Sequence, residues 1–218
     1  MITTSLPYKK KDVESPNGKA VLTNISWQTY QAMLTDMGSH RSIRLAYHHG
    51  VLEIKMPLGL HETINCILER IIITLTEELN LSIRGFGSTT LNREDLGVGV
   101  EPDCCFYIQN SDRIRGREVN LEIDPPPDLV VEVDITSPSS RRFPIYRDLG
   151  VPEIWRYSSS GIGIYKLQEN EYLESEFSLS FPMVSHKILD QFLQQTESID
   201  DNKLIREFRV WLRQQINQ

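Results

Sequence analysis

The chain has 218 residues, 39% hydrophobic and 24% charged, with 23 basic against 30 acidic side chains and a formal net charge of −7. A chain of this size and make-up can bury a real core, so whole-chain disorder is excluded, and no run reaches the roughly 18–20 apolar residues of a membrane span. The acidic balance excludes a broadly basic, nucleic-acid-coating surface and leaves only local basic patches for that role.

Residues 1–20 are polar, carry Lys9, Lys10 and Lys11, and lack the apolar stretch of a secretory signal. They read as a flexible tail, and residues 21–218 as one domain. Ser26 suits the N-cap of a short helix bearing Trp27, Tyr30, Met33 and Leu34. RSIRLAYHHGVLEIKM predicts a hairpin turning near His49–Gly50. The clearest helix spans 61–79, with Ile64, Ile67, Leu68, Ile71, Ile72, Leu75 and Leu79 on one stripe. Strands are expected near 81–88 and 100–108, the second interrupted by Pro102. A loop with Arg113, Arg115 and Arg117 follows, either solvated or contacting phosphates, and then a short strand, EVNLEI. DLVVEVDI is the most strand-like run. A helix is expected from about Pro144 to Gly150, then a strand and its return strand in VPEIWRYSSSGIGIYKL. An amphipathic helix over about 201–216 places Leu204, Phe208, Trp211 and Leu212 on one face, for the core or a dimer contact.

Cys66, Cys104 and Cys105 are odd in number, two are adjacent, and no CxxC occurs. This is no disulfide framework, and it points to a reducing, cytoplasmic setting. His61 reads as a surface residue at a helix start, with a ligand or acid–base role as the alternative.

Strand alternation makes DLVVEVDI informative. Leu129, Val131, Val133 and Ile135 share an apolar face; Asp128, Val130, Glu132 and Asp134 share the other. A carboxylate in so apolar a run is either on the solvent face of an edge strand, or buried and then paired or metal-bound. Asp103 sits beside Pro102, where a strand must be irregular. If the two strands are neighbours, Asp103 and Glu132 converge, and repelling carboxylates then call for a shared proton, a basic group or a hard cation. Oxygen donors suit Mg²⁺ or Mn²⁺.

Asp103 in E-P-D, Glu132 in D-L-V-V-E-V, the following S-P-S-S, and Y-R-D-L-G-V-P-E-I-W together resemble the Uma2 family of cyanobacterial proteins, within the PD-(D/E)XK or restriction-endonuclease-like superfamily. The resemblance covers roughly residues 25–215. It implies an α/β (α+β) fold with a mixed central sheet flanked by helices, in the order α-β-β-β-α-β; here an N-terminal hairpin precedes this core and C-terminal helices follow. The elements read from the residues fall in that order. It also implies that Asp103 and Glu132 hold a divalent metal that activates water, joined by an early helical acid, for which Glu62 is the candidate.

Two positions depart from the superfamily pattern. Asp134 stands where a lysine is usual, and could complete a second metal site or mark a weakened enzyme. In many Uma2-like sequences the lysine lies four residues before the tyrosine of the next helix; that slot is Arg142, four before Tyr146. Arginine can clamp a phosphate but does not act as a base. The expected function is therefore Mg²⁺- or Mn²⁺-dependent endonucleolytic hydrolysis of DNA, with Arg142 steadying the phosphate. The alternative is a catalytically silent binding or scaffold protein, homodimeric through its C-terminal helix.

Overall fold

The computed structural model describes residues 18–38, 43–56, 59–114, 116, 118–134 and 141–217. Arg115, Arg117 and most of the N-terminal tail lie outside these residues. Strand β1 (Lys19–Leu22) already begins within the segment expected to be a tail. Helix α1 (Trp27–Met37) starts where expected, and the Ser26 hydroxyl accepts the Thr29 N–H at 3.1 Å. β2 (Arg44–His48) and β3 (Val51–Lys55) form the predicted hairpin, and α2 (Gly59–Glu78) follows.

The middle of the chain divides differently from its sequence pattern. β4 is only Arg84–Gly85, and β5 (Leu91–Arg93) is a strand of its own. The expected strand 100–108 is two strands, β6 (Val98–Val100) and β7 (Cys104–Tyr107), and they belong to different sheets. Pro102 has no N–H to donate, so the chain leaves one ladder at Glu101 and joins the other at Cys104. EVNLEI is not a strand. Asn120 Oδ1 accepts the Glu122 N–H and Asp124 accepts the Asn120 N–H, local bonds that fold the segment into turns.

The rest follows the predicted order: β8 (Leu129–Asp134), α3 (Phe143–Leu149), β9 (Glu153–Ser158) and β10 (Gly161–Gln168). β11 (Glu171–Ser175), α4 (His186–Leu193) and α5 (Asp201–Ile216) complete it. Gly150 ends α3 at φ 76°, a left-handed conformation that glycine adopts without a Cβ penalty.

One sheet is antiparallel, in the order β1-β3-β2-β6-β5. The other runs β11-β10-β9-β8-β7-β4, and β8 pairs parallel with β9 across the α3 crossover. β8 is thus an interior strand, and all six of its residues are buried. Its apolar face, Leu129, Val131 and Val133, packs with Ile67, Leu68 and Ile71 of α2 and with Leu204, Phe208 and Leu212 of α5. Leu204, Phe208 and Leu212 of α5 are therefore core, with Trp211 partly buried against it. On the opposite side Val130 packs with Ile145, Tyr146 and Ile154.

The outer side of the α2–α5 contact is ionic. Arg209 and Arg213 both bind Glu78, the Arg213 Nε at 2.7 Å, and their hydrogen bonds hold the Glu78 carboxyl down to about 2. A lowered folded-state value stabilises the fold above the unfolded value of about 4.5, and that contribution is lost as pH falls towards 2. Glu78→Gln should therefore cost no more than about 1 kcal/mol near neutrality, because the pair is close to solvent. Urea unfolding at pH 7 and at pH 2–3 should show the difference shrinking at acid pH.

A buried carboxylate and lysine cluster

Where β7 peels away from β8, side chains take over the ladder. Cys104 pairs with Val131, so Asp103 arrives beside the end of β8. Asp103 Oδ2 accepts the Val133 N–H at 2.8 Å, and Lys55 Nζ donates to the Val133 carbonyl at 2.9 Å. The strand's buried polar groups are thus satisfied without backbone partners. Lys55 Nζ also lies 3.2 Å from Asp103 Oδ2, 3.7 Å from Glu132 Oε2 and 3.8 Å from Asp134 Oδ1. Oxygens of four residues converge on it.

Glu132 points to the α3 side of β8 and is fully buried. Arg142 Nη1 donates to both its oxygens, at 3.0 and 3.1 Å, and the Tyr146 hydroxyl donates to Oε1. Arg142 Nε donates to Glu53 Oε1 at 3.0 Å, and its Nη1 also reaches the Glu101 carbonyl at 3.2 Å. Lys19 Nζ pairs with the other Glu53 oxygen at 2.7 Å, and Arg156 Nε with Asp134 Oδ2 at 2.7 Å. Asp103, Glu132, Asp134 and Glu53 are therefore met by Lys55, Arg142, Arg156 and Lys19 in one network spanning both sheets.

Burial and the neighbouring carboxylates of Asp103 and Asp134 push the Glu132 carboxyl up, against the pull of Arg142 and Lys55. The Asp103 carboxyl is held well below the usual range. Burial opposes this, but the His61 imidazole 2.9 Å away and the charges of Lys55 and Arg142 outweigh it. Burial and Glu132 keep the Tyr146 hydroxyl protonated far above its ordinary range, as suits a donor.

Of the residues singled out in the sequence, Asp103, Glu132, Asp134 and Arg142 come together, and Glu62 does not. The Glu62 side chain is 52% exposed, and its carboxylate is 3.9 Å from His61 Nδ1. His61, expected at the surface, is buried instead, with Nε2 2.9 Å from Asp103 Oδ2. The helical period explains the exchange: position 61 continues the buried series Ile64, Leu68 and Ile72, whereas position 62 is turned about 100° away. Arg142 is fully buried among Glu132, Glu53 and the Glu101 carbonyl, and its Nη2 has no hydrogen-bond partner among the described residues.

Lys55 and Glu53 were not found from the sequence. The signal was present in VLEIK, because Glu53 and Lys55 share a face of β3 and both are buried. Glu101 is spent elsewhere, its carboxylate accepting the Leu45 N–H and the Thr90 hydroxyl. The buried Glu153 of the V-P-E-I-W string is structural, accepting from Trp155 Nε1 and from the Leu179 and Ser180 N–H groups.

The donor chemistry fits a hard divalent cation. The cluster's acids offer oxygens, with the His61 imidazole beside Asp103; Asp103 Oδ1 is buried with no hydrogen-bond partner among the described residues, and the Lys55 ammonium sits between Asp103, Glu132 and Asp134. Asp103, Glu132, Asp134 and the Val133 carbonyl are the groups that would hold the ion with Lys55 displaced, since as placed the three carboxylates surround its ammonium and are not drawn together within 4.8 Å of one another.

A long helix against a mixed sheet, with an acid cluster at the ends of β7 and β8, defines a restriction-endonuclease-like α/β protein. The chain belongs to the Uma2 family, whose model, described as "Putative restriction endonuclease", matches residues 27–196. It is similar to the crystal structure of "a putative nuclease belonging to DUF820" from Anabaena variabilis ATCC 29413. That similarity has a TM-score of 0.50 and 19% identity, over 68% of this chain and 90% of the other, and concerns the fold. No curated protein matches the chain. No helix among the described residues is long and apolar enough to cross a membrane.

Proposed function

We propose that the protein is a Mg²⁺- or Mn²⁺-dependent endonuclease that hydrolyses DNA phosphodiester bonds. The observation that carries this reading is the convergence of Asp103, Glu132 and Asp134 on Lys55 Nζ at the end of β8. Bound there, the metal supplies an activated water and charge stabilisation at the phosphate. Asp103 and Glu132 hold and orient, Asp103 fixed by the Val133 N–H and His61, Glu132 by Arg142 and Tyr146. Lys55 provides the positive charge that the superfamily's lysine provides from β8 itself. It comes from β3 and its Nζ lies 3.8 Å from Asp134 Oδ1, so a basic group stands beside the acid that occupies the lysine position.

Supercoiled plasmid incubated with protein and Mg²⁺ or Mn²⁺ should be nicked, and EDTA should stop the reaction. A single-stranded RNA of equal phosphate concentration should be cut more slowly. Asp103→Asn protein prepared in parallel controls for contaminating nuclease. A second reading has its own support: the four carboxylates are already matched by four basic side chains, so the network holds together with no added ion. Absence of nicking under either metal favours this silent module.

A further inference from the structure

The tip of the β2–β3 hairpin carries a second ligand cluster, separate from the carboxylates. His48 Nε2 lies 3.1 Å and His49 Nε2 3.9 Å from Asp148 Oδ2 in the last turn of α3, and one ligand atom from each of the three residues can be chosen so that all lie within 4.8 Å of one another. Neighbours on a strand normally point to opposite faces. Here the alternation is broken, because His49 adopts a left-handed backbone conformation, φ 46°, followed by Gly50 at 90°. This is the two-residue hairpin turn in which Asn-Gly or Asp-Gly is usual. The turn brings the two imidazoles to one side, ring centroids 4.4 Å apart. Gly97 makes room for the second ring, since a Cβ there would lie 3.3 Å from His49 Nδ1.

Asp148 is oriented for the same purpose. A carboxylate near a helix C-terminus is unfavourable without a cation. Arg147 Nε and Nη2 bind its Oδ1 at 2.9 and 2.8 Å, leaving Oδ2 directed at the imidazoles. Such second contacts are what hold metal-binding carboxylates in place. We propose that His48, His49 and Asp148 form a site for a borderline transition-metal ion of the Zn²⁺ class. Two imidazoles and a carboxylate are common zinc ligands, and tetrahedral coordination at about 2.0–2.1 Å puts ligand atoms roughly 3.3 Å apart. The His48–Asp148 spacing is near this value, and His49, 61% exposed, is the ligand with room to move. Its donors, two imidazoles and one carboxylate, are softer than the mainly carboxylate cluster, so the two sites prefer different metals. A metal here ties the hairpin that delivers Glu53 and Lys55 to the helix that delivers Tyr146.

Untagged full-length protein, stripped with chelator and kept in Mg²⁺, should be titrated with ZnCl₂ and, separately, CoCl₂. Wild type should take up one equivalent at this site, with a rise in melting temperature and a visible Co²⁺ band. His49→Asn keeps a residue that tolerates the left-handed turn, and Asp148→Asn keeps the side-chain shape. Each should weaken Zn²⁺ binding at least about tenfold, with unchanged circular dichroism. The proposal is overturned if wild type binds no Zn²⁺, or if both variants bind it with wild-type stoichiometry and affinity, which would place the ion elsewhere, as at His61 and Asp103. None of these readouts depends on nuclease activity.

Discussion

Lys55→Met and Asp103→Asn should each lower metal-dependent plasmid cleavage by about 10²–10³-fold, the scale of removing one well-placed electrostatic partner of a transition state. Both side chains are buried and touch each other at 3.2 Å. The variants should differ in metal response. Asp103→Asn removes a charged ligand, so more Mn²⁺ should restore part of the rate. Lys55→Met keeps every oxygen donor and removes a competing positive charge, so metal should bind at least as tightly while turnover stays low. Titration of Mn²⁺ by calorimetry beside single-turnover cleavage separates the two effects. A Lys55→Met protein that cleaves at the parental rate would remove Lys55 from the mechanism and leave it as a counter-ion.

The acids of the cluster were legible because two rules act locally. Strand parity put Glu132 and Asp134 on one face, and Pro102 marked the irregularity beside Asp103. What parity could not supply was whether β8 is an edge or an interior strand. That depends on pairing with β7 and β9, which lie some 20 residues away on either side in sequence. Lys55 was hidden for a related reason. It belongs to the other sheet, and its approach to β8 depends on how the two sheets pack, which no local pattern shows. His61 and Glu62 were exchanged by one position, although the stripe through Ile64 and Leu68 already indicated which of them turns inward. The split of 100–108 was half visible: Pro102 predicted a break, but not a change of sheet. Arg142 was found beside Glu132, but its slot in the sequence did not show that it is buried and also bonded to Glu53.

Arg142 is where the largest loss of stability is expected. Its guanidinium is fully buried and joins Glu53 of β3, Glu132 of β8 and the Glu101 carbonyl. Arg142→Met should destabilise the protein by about 3–5 kcal/mol, since it strands buried charge rather than merely removing a contact. Arg142→Lys should also be costly, because a point charge cannot reproduce the fork between the two carboxylates. The pH dependence gives a sharper test. Burial already raises the Glu132 carboxyl above its ordinary 4.5, and losing Arg142 removes the largest opposing influence. A raised folded-state value means that ionising Glu132 costs stability as pH rises through it, while below about pH 4.5 that cost is absent. The deficit of Arg142→Met should therefore shrink as pH is lowered from 8 towards 5, and adding Glu132→Gln should recover part of it at neutral pH. Urea unfolding of the single and double variants across that range measures both. A deficit independent of pH, with no recovery in the double variant, would show that Arg142 contributes by packing and not by holding the buried acid.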